Sequence, residues 1–538
     1  MLFGTSSFKP SWSDYGLRSL AIYGLTVVVV WRLWRLWRFT IRPYFKSDTP
    51  KELPYMIPFV GHAVSMLSSP HVVLSSGIKY CRKSGEPIAV NVLGQIVYFI
   101  LSEEDATTVL RGSPELTHTE HIQGLLRALG CSKFGVGEMH HASRSKVSGP
   151  GDNVGHPARV PFVLAAESLM RKQLLHRSLS QDLLTRTLQV LDMQTRWDGI
   201  EAVAVLQTSK DARQKTVSLS KWAQGAMIRA IATAWFGAAI WDLSPTIIDD
   251  LVYLDHSLWK LVFRLPRPFA KDVQATRDRL RRCFVKYLRL SPSMKEDQCW
   301  AAKASEMEMR TRGMGEEDIA CYMLMVFWAI NANSFKLVFW LCAHICSDPV
   351  IYRSLTVEVD SITSKIAPQE SLTTLSTRLE RSALLEALYN ETHRITINTS
   401  SARTVLQDVT INGRRFEAGG HIIVPYRQLA MSHPSLAEDW DLFRPARFLL
   451  DPTLGRSRSF LPFGGGKHKC FGRFLTRRIV LTFTALVVQR FAIQPLDGIP
   501  EMCFMPTSAG PAEPAEGSDM RLLISPRPNK KSYENNNK

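Results

Sequence analysis

The sequence contains no Cys-x-x-Cys pair, and its nine cysteines are scattered from Cys81 to Cys503. A disulfide framework and a cysteine-rich zinc site are therefore poorly supported, and free thiols in a reducing compartment are expected. Long blocks of basic residues interleaved with aromatic side chains are missing outside the N-terminus, which argues against nucleic acid as a partner. No internal repeat is visible.

The composition is that of a globular protein. The 538 residues are 45% hydrophobic, 21% charged and 9% aromatic, which excludes collagen-like and wholly disordered chains. Lys and Arg number 66 against 49 Asp and Glu, a formal charge of +17. This balance suits an anionic membrane surface or an acidic protein partner. At roughly 100–200 residues per domain, length alone allows about three domains.

The N-terminus has the pattern of a membrane anchor. The uncharged run Leu20–Trp31 is followed by a segment that alternates arginine with tryptophan and leucine up to Arg38. Tryptophan settles at bilayer interfaces, and the positive-inside rule places the basic flank in the cytosol. A secretory signal peptide fits less well because the positive charge follows the apolar run. An amphipathic surface helix remains the alternative.

The rest of the chain predicts a mainly α fold with small β-sheets, because most of residues 160–395 shows helical periodicity. Helices are expected at Glu167–Leu191, Thr216–Phe236, Glu316–Ser347, Leu379–Ile395 and Arg473–Val488, and β-like runs at Ile88–Leu101, Val405–Ile411 and His421–Val424. The excursion Ala142–Val160 is expected at the surface.

One segment points to chemistry. The predicted helix that starts at Arg473 is preceded by a ten-residue segment, called here the glycine loop. Its residues are Phe463, Gly464, Gly465, Gly466, Lys467, His468, Lys469, Cys470, Phe471 and Gly472. Consecutive glycines permit a tight turn against a bulky object. A cysteine at a helix start, beside positive charge, is expected to favour the thiolate. Such a thiolate is a nucleophile, a redox sensor or a metal ligand, and an axial bond to haem iron fits a lone cysteine best.

This segment resembles the haem-binding signature of the cytochromes P-450, F-x-x-G-x-R-x-C-x-G, with His468 where arginine is usual. The resemblance implies one large catalytic domain of cytochrome P-450 fold behind the anchor. The expected boundaries are a lumenal N-terminus at 1–18, a transmembrane signal-anchor at 19–38, a basic, proline-rich linker at 39–61, the catalytic domain at 62–525 and a disordered tail at 526–538.

The resemblance also assigns roles to residues. It implies haem b as cofactor, Cys470 as the axial iron ligand, and contacts to haem from His468, Arg403, Phe463, Gly464 and Gly472, with Lys172 and Arg177 as weaker candidates. The motif E-x-x-R at Glu391 and Arg394, and F-x-P-x-R-F with Arg447, imply a buried structural charge network. One carboxylate against two guanidiniums requires further acceptors.

The chain departs from the family on the predicted helix Glu316–Ser347. Ala332 and Asn333 align with the usual acid and threonine, so Asn333 and Ser334 are the expected distal catalytic residues. This pattern, and Tyr426–Leu429, resemble the oxysterol and bile-acid hydroxylases and prostacyclin synthase. The glycine loop also resembles fungal members that act in secondary metabolism.

The resemblance implies a monooxygenase in the endoplasmic reticulum membrane, with a single span and a cytosolic catalytic domain. It would oxidise a lipophilic terpenoid, steroid or polycyclic metabolite with O2 and with electrons that NADPH supplies through a reductase. The expected partners are that reductase, membrane lipid and the substrate. Two alternatives stay open: an isomerase or dehydratase of oxygenated lipids that needs no external electrons, and a non-catalytic, membrane-tethered haem sensor.

Overall fold

The computed structural model describes residues 12–81, 85–141, 160–367, 369–504 and 510–528. Its α-helices are α1 (Trp12–Leu36), α2 (Arg42–Phe45), α3 (Ala63–Ser68), α4 (Pro70–Cys81), α5 (Glu103–Arg111), α6 (Thr119–Ala128), α7 (Lys133–His140), α8 (Phe162–Leu175), α9 (Arg177–Gln194), α10 (Leu219–Phe236), α11 (Ile247–Val262), α12 (Arg267–Leu288), α13 (Trp300–Thr311), α14 (Glu316–Asn331), α15 (Ser334–Ser347), α16 (Pro349–Ser364), α17 (Leu372–Leu379), α18 (Ala383–Thr396), α19 (Tyr426–Met431), α20 (Pro434–Ala437), α21 (Ala446–Leu450) and α22 (Arg473–Arg490).

The strands are short and form small sheets. They are β1 (Lys51–Glu52), β2 (Ile88–Val92), β3 (Gln95–Phe99), β4 (Leu116–Thr117), β5 (Val205–Thr208), β6 (Lys215–Ser218), β7 (Ser400–Val405), β8 (Val409–Ile411), β9 (Arg414–Phe416), β10 (His421–Pro425), β11 (Phe491–Pro495), β12 (Met502–Cys503), β13 (Glu513–Pro514) and β14 (Arg521–Pro526). In the described part, one sheet has the order β1-β2-β3-β10-β7-β4, a second has β11-β14-β6-β5, and β12-β13 and β8-β9 are separate pairs. The predicted mainly α class with small sheets is confirmed.

The core lies among the long helices of the second half of the chain. Helix α15 packs against α10, α18 and α22, and their facing side chains form one apolar cluster. Trp222, Trp235, Trp340 and Phe483 are among its buried members. Because α22 follows directly after Gly472, this packing fixes the end of the glycine loop on the core.

The N-terminal helix fits an anchor. Residues Ser19–Phe45 form a 27-residue helical stretch that is apolar enough to cross a membrane, and none of its most apolar window is buried. A π-helical turn, Trp37–Ile41, separates α1 from α2 within this stretch. The second stretch of sufficient length, Glu316–Ser347, is mostly buried and belongs to the core.

Several predicted boundaries are wrong because one predicted helix or strand is divided into two in the structure. The run Ile88–Leu101 is a hairpin, because Leu93 and Gly94 turn the chain between β2 and β3. The stretch Glu167–Leu191 is two helices, with His176 in extended backbone between α8 and α9. Periodicity alone does not reveal such short interruptions. The excursion at 142–159 and the last ten residues lie outside the described residues.

Other boundaries shift for similar reasons. Residues Thr216–Phe236 begin as strand β6 before Ser218 caps α10. The run Val405–Ile411 is divided between β7 and β8. Helix α18 starts at Ala383, not Leu379, because the Ser382 hydroxyl accepts a hydrogen bond from the Leu385 N–H and caps it. The long helix Glu316–Ser347 is interrupted at Ala332 and Asn333.

Candidate functional site

Cys470 differs from the other cysteines in its surroundings. Of the nine cysteines, seven are buried, Cys503 is half-buried, and Cys470 is exposed. Its backbone N–H donates to the Phe463 carbonyl at 3.0 Å, which closes the loop. Its carbonyl accepts a hydrogen bond from the Arg473 guanidinium at 2.7 Å. The thiol is thereby held immediately before the N-terminus of α22.

The glycines of this loop are required by close packing against α5. Gly464 and Gly466 have φ of +72° and +65°, a region that favours glycine. A Cβ on Gly466 would lie 1.9 Å from the carbonyl oxygen of Leu110, and one on Gly465 would lie 2.8 Å from the Leu110 side chain. The loop can therefore approach α5 only without side chains at these positions.

The loop forms part of the wall of a cavity of about 540 Å³. Cys470, Phe471 and Gly472 line it on one side. Apolar side chains from α6 to α8, α10 and α14 supply most of the rest, among them Ile122, Leu126, Met139, Phe162, Val163, Leu174, Ile231, Trp235, Met325, Val326 and Ile330. A largely apolar chamber with a few polar groups is typical of a small-molecule site.

The surroundings of Cys470 act on the pKa of its thiol in opposite directions. Removal of the thiol from bulk water raises the pKa of Cys470, and this outweighs the backbone hydrogen bond from Gly472, which lowers it. The helix start and the charge of Arg473 act in the expected direction, because both lower the pKa of Cys470, but burial has the larger effect. A bound metal ion would stabilise the thiolate directly.

Arg403 is a buried cation that faces the cavity. It is 5% exposed, and its guanidinium donates a hydrogen bond to the carbonyl of its neighbour Ala402 at 2.8 Å. No carboxylate pairs with it among the described residues, and burial lowers the pKa of its guanidinium. Such a group is costly unless an anion binds to it. Arg403 therefore fits an acidic ligand group, such as a haem propionate.

His468 also lines the cavity, in contact with a residue that sequence reasoning missed. Its ring centroid lies 4.0 Å from that of His118, which precedes α6. Burial lowers the pKa of both rings, that of His118 to about 4. The two imidazoles and Arg403 form a polar end of the otherwise apolar cavity. No sequence motif singled out His118, because the fold alone brings it beside the glycine loop.

Phe463 and Gly464 support the loop from behind. The Phe463 ring packs edge-on against His393 of α18, with centroids 5.0 Å apart. A Cβ on Gly464 would lie 3.3 Å from the Tyr426 hydroxyl. Neither residue lines the cavity, so they shape the loop from outside its wall.

Lys172 and Arg177, expected from the resemblance as weaker haem contacts, are not among the residues that line the cavity. The Lys172 ammonium lies 4.7 Å from the Trp300 ring centre, and Arg177 is exposed at the start of α9. The preceding residue, Arg171, instead stacks on Phe471 at 4.8 Å and pairs with Glu167 at 3.2 Å. One residue along a helix rotates the side chain by about 100°, so Arg171 and Lys172 point in different directions from α8.

Glu391 organises a buried charge network. Both its oxygens accept hydrogen bonds from Arg394 at 2.8 Å, and Arg447 lies 3.1 Å away. The additional acceptors that two guanidiniums require are backbone carbonyls, namely those of Trp440, Leu442 and Ser435. The network joins α18 to the segment that leads into the glycine loop.

Asn333 and Ser334 occupy the break between α14 and α15. Asn333 is exposed and lies four residues after Ala329; Ala329 lines the cavity and Asn333 does not. A Cβ on Gly510 would lie 1.9 Å from the Asn333 side-chain oxygen, so the two segments touch. Ser334 is buried, and its hydroxyl lacks a hydrogen-bond partner among the described residues. The structure thus brings Asn333, but not Ser334, to an open surface.

A second charge cluster lies just beyond this break. The Lys336 ammonium contacts carboxylates of both Asp255 and Glu513 at 2.6 Å, and its side chain is 5% exposed. Trp328 donates to Asp255 at 2.7 Å, and His256 pairs with Glu513 at 2.9 Å. Helices α11 and α15 and strand β13 are therefore joined by one ionic cluster, which no motif predicted.

Comparisons with known proteins agree with this geometry. A family model described as Cytochrome P450 matches residues 140–514. A cytochrome P450 monooxygenase of Gibberella zeae is 24% identical over 316 residues, 55% of this chain and 60% of that protein, so the match spans less than two thirds of its length. The monooxygenase poxD of Penicillium oxalicum is 22% identical over 457 residues, 82% of this chain and 87% of its own.

Two further matches extend the comparison. A steroid 17-alpha-hydroxylase/17,20 lyase of Equus caballus is 32% identical over 195 residues, 34% of this chain and 36% of that protein. Retinoic acid bound cyanobacterial CYP120A1 superposes with a TM-score of 0.66 at 16% identity, covering 89% of this chain and all of that one. At this identity the structural match shows the fold alone.

Proposed function

The chain belongs to the cytochrome P450 family, and on that premise we propose that it is a membrane-anchored haem-thiolate monooxygenase that oxidises a lipophilic substrate. The observation that carries the proposal is Cys470, the one exposed cysteine of nine, on a glycine loop in the wall of a 540 Å³ cavity. A redox sensor would need an acidic thiol, whereas the protein that surrounds the cavity raises the pKa of Cys470.

The residues around the cavity fit haem. Cys470 would supply a sulfur ligand to the iron, and the guanidinium of Arg403, which has no carboxylate partner among the described residues, and the ring of His468 would hold the propionates. When bound, haem activates O2 with two delivered electrons and furnishes the oxygen atom that enters the substrate. The protein's part is to fix the sulfur, neutralise the acid groups and keep the chamber dry.

The cavity supports a lipophilic substrate. Phe162, Trp235 and Val326 are buried, and together with Met325 and Ile330 they present apolar surface. Burying the substrate against such side chains supplies binding energy and excludes water from the reacting centre. Similarity to fungal monooxygenases and to a steroid hydroxylase makes a terpenoid, steroid or polycyclic metabolite our proposed substrate class.

Asn333 is our proposed distal residue. It lies four residues after Ala329, which lines the cavity, and is exposed at the break between α14 and α15. An amide does not itself release a proton near neutral pH, so its role is to hold a water molecule through Oδ1 and Nδ2. Proton transfer would then run through that water. Ser334 is buried, and we assign it no direct contact with water in the chamber.

The surroundings of the catalytic body are consistent with an anchored, reductase-dependent enzyme. Helix α1 is exposed and apolar, and we propose that it holds the protein in the endoplasmic reticulum membrane with the catalytic domain in the cytosol. Lys467 and Lys469 are exposed beside Cys470. They would attract the acidic docking face of an NADPH-dependent reductase.

The test is turnover by the reconstituted full-length enzyme. With reductase, NADPH and a panel of sterols and terpenoids, we expect substrate-dependent NADPH consumption matched by a product that contains one oxygen atom from O2. Spin-state shifts would identify which panel members bind. Absence of turnover with every compound that binds would contradict the proposal and favour a haem sensor.

One observation favours a second candidate function. The usual acid and alcohol of the distal helix are replaced by Ala332 and Asn333, which weakens proton delivery. An isomerase or dehydratase that rearranges an oxygenated lipid has less need of that delivery. Product formation from a lipid hydroperoxide or endoperoxide without NADPH consumption would support this candidate and exclude the monooxygenase.

A further inference from the structure

Two adjoining cavities lie where the anchor helix ends. One, of about 270 Å³, is lined by residues that follow the anchor and by parts of β2, β3 and β9. The other, of about 460 Å³, is lined by the anchor end and by α4. They share Pro43, Lys51 and Glu52 in their walls, so we treat them as one site, called here the juxtamembrane pocket.

The juxtamembrane pocket has an excess of positive charge. Its six cations are Arg38, Arg42, Lys46, Lys51, Lys79 and Arg414, and its three carboxylates are Glu52, Glu86 and Glu417. Each carboxylate has a close cation: Glu52 has Arg38 at 2.8 Å, Glu86 has Arg414 at 2.9 Å, and Glu417 has Lys46 at 2.6 Å.

Three cations remain without a close acid. Arg42 is 3.9 Å from Glu52, whose charge Arg38 already engages. Lys51 and Lys79 have no carboxylate within ion-pair distance in the part of the chain that the structure describes. Three like charges around one cavity are expected to attract an anion, and Arg and Lys both bind phosphate oxygens.

The position of the pocket indicates where such an anion would come from. The flanking segments expose large apolar side chains, including Tyr44, Phe45, Phe59 and Val64, each at least 68% exposed. The Trp31 indole donates to the Met56 carbonyl at 2.7 Å and so holds the anchor against these segments. An apolar rim beside a membrane helix places the pocket at the depth of lipid headgroups.

We propose that the juxtamembrane pocket binds the phosphate headgroup of an anionic glycerophospholipid, through Arg42, Lys51 and Lys79. The acyl chains then lie along the exposed face of α1. This inference rests on the membrane anchoring in the proposed function. Its consequence is that the orientation of the catalytic body depends on lipid charge as well as on the anchor.

The experiment uses the full-length holoprotein in mild detergent, titrated with phosphatidic acid or with phosphatidylcholine of the same chains, and bound lipid is counted by native mass spectrometry. We expect phosphatidic acid to bind at least tenfold more tightly. The triple variant Arg42→Gln, Lys51→Gln, Lys79→Gln should lose that preference, since each juxtamembrane cation contributes about fivefold to affinity. A matched triple variant of exposed cations elsewhere, Lys210→Gln, Arg213→Gln, Lys303→Gln, should retain it.

Equal binding of the two lipids, or an unchanged preference in the pocket variant, would overturn the proposal. Displacement of phosphatidic acid by millimolar inorganic phosphate would also overturn it, because the site would then recognise the free ion. The carbon monoxide spectrum of the same samples, and extraction of the protein from the membranes in which it was produced, separate failure of this inference from failure of the proposed function. A normal spectrum and firm membrane association without lipid preference refute this inference alone, whereas their loss refutes the proposed function.

Discussion

The carboxylate of Glu391 accepts two hydrogen bonds from the guanidinium of Arg394, each 2.8 Å long, and both side chains are sealed from solvent. Arg447 approaches the same carboxylate at 3.1 Å from α21. One buried acid thus compensates two buried cations and ties α18 to the chain that leads into the glycine loop. The network supports the site without touching the cavity.

Glu391→Gln should therefore destabilise the protein strongly. It leaves two buried guanidiniums without an acid, a situation that costs about 3–5 kcal/mol in the free energy of unfolding. Chemical denaturation of the holoprotein measures the loss. The control is Glu370→Gln, which removes a partly exposed pair with Arg378 and should cost no more than about 1 kcal/mol. Equal losses in both variants would contradict this role for Glu391.

Gly466→Ala should abolish haem incorporation. The added Cβ would lie 1.9 Å from the Leu110 carbonyl oxygen, so the glycine loop must move away from α5. Gly413→Ala is the matched control, because its φ of +79° carries the same backbone strain with nothing within 4 Å. We expect the ratio of haem to protein absorbance to fall only in Gly466→Ala. A fall of the same size in both variants would show that strain, not the contact, matters.

Lys336→Met should be as damaging as the loss of Glu391. The substitution removes the shared cation of two largely buried carboxylates, Asp255 (9% exposed) and Glu513 (17% exposed), at a cost of about 3–5 kcal/mol. The control is Lys221→Met, which removes an exposed ion pair with Asp249; like Asp255, Asp249 lies on α11. This variant should change the free energy of unfolding by less than about 1 kcal/mol. Thermal unfolding of the two variants at one pH compares them; a mild effect of Lys336→Met would refute the cluster's structural role.

His256 should give the stability a dependence on pH. Its hydrogen bond to Glu513 raises the pKa of His256, burial and Lys336 oppose this, and Glu516 adds to it. Glu513 stays ionised because its pKa is lowered to about 2. The stabilisation is therefore complete below about pH 6.5 and is lost as pH rises through the folded pKa.

The variant His256→Gln isolates this effect. The difference in the free energy of unfolding between wild type and variant should be largest near pH 6 and should shrink towards pH 9. It should not exceed about 1 kcal/mol, because the His256 ring is half-exposed. Denaturant titrations at several pH values measure it. A difference that is constant with pH would mean that His256 contributes by packing and not by charge.

The fold class and the loop that holds Cys470 could be predicted from the sequence, because both depend on local patterns. Helical periodicity marks the long helices, and glycine spacing marks a turn that only small residues allow. The ion network of Glu391 was also predictable as an i, i+3 pair, whereas its carbonyl acceptors were not. The carbonyls of Trp440 and Leu442 lie 46 and 48 residues from Arg394, and that of Ser435 lies 12 residues from Arg447.

What the sequence did not reveal depends on tertiary contacts. His118 and Arg171 reach the glycine loop only through the packing of α6 and α8 beside it. The Lys336 cluster joins residues 81 and 177 positions apart. The sequence also did not predict that burial raises the pKa of Cys470, because helix and charge effects are visible in the sequence but burial is not.

The central claim is that the sulfur of Cys470 binds haem iron, and the reduced, carbon monoxide difference spectrum tests it most directly. Wild type and Cys503→Ala, a control at the other accessible cysteine, should both give the thiolate-type Soret band. Cys470→Ala should lack it. A wild-type protein that stays colourless after reconstitution with hemin, or a Cys470→Ala variant that keeps the band, would contradict the account.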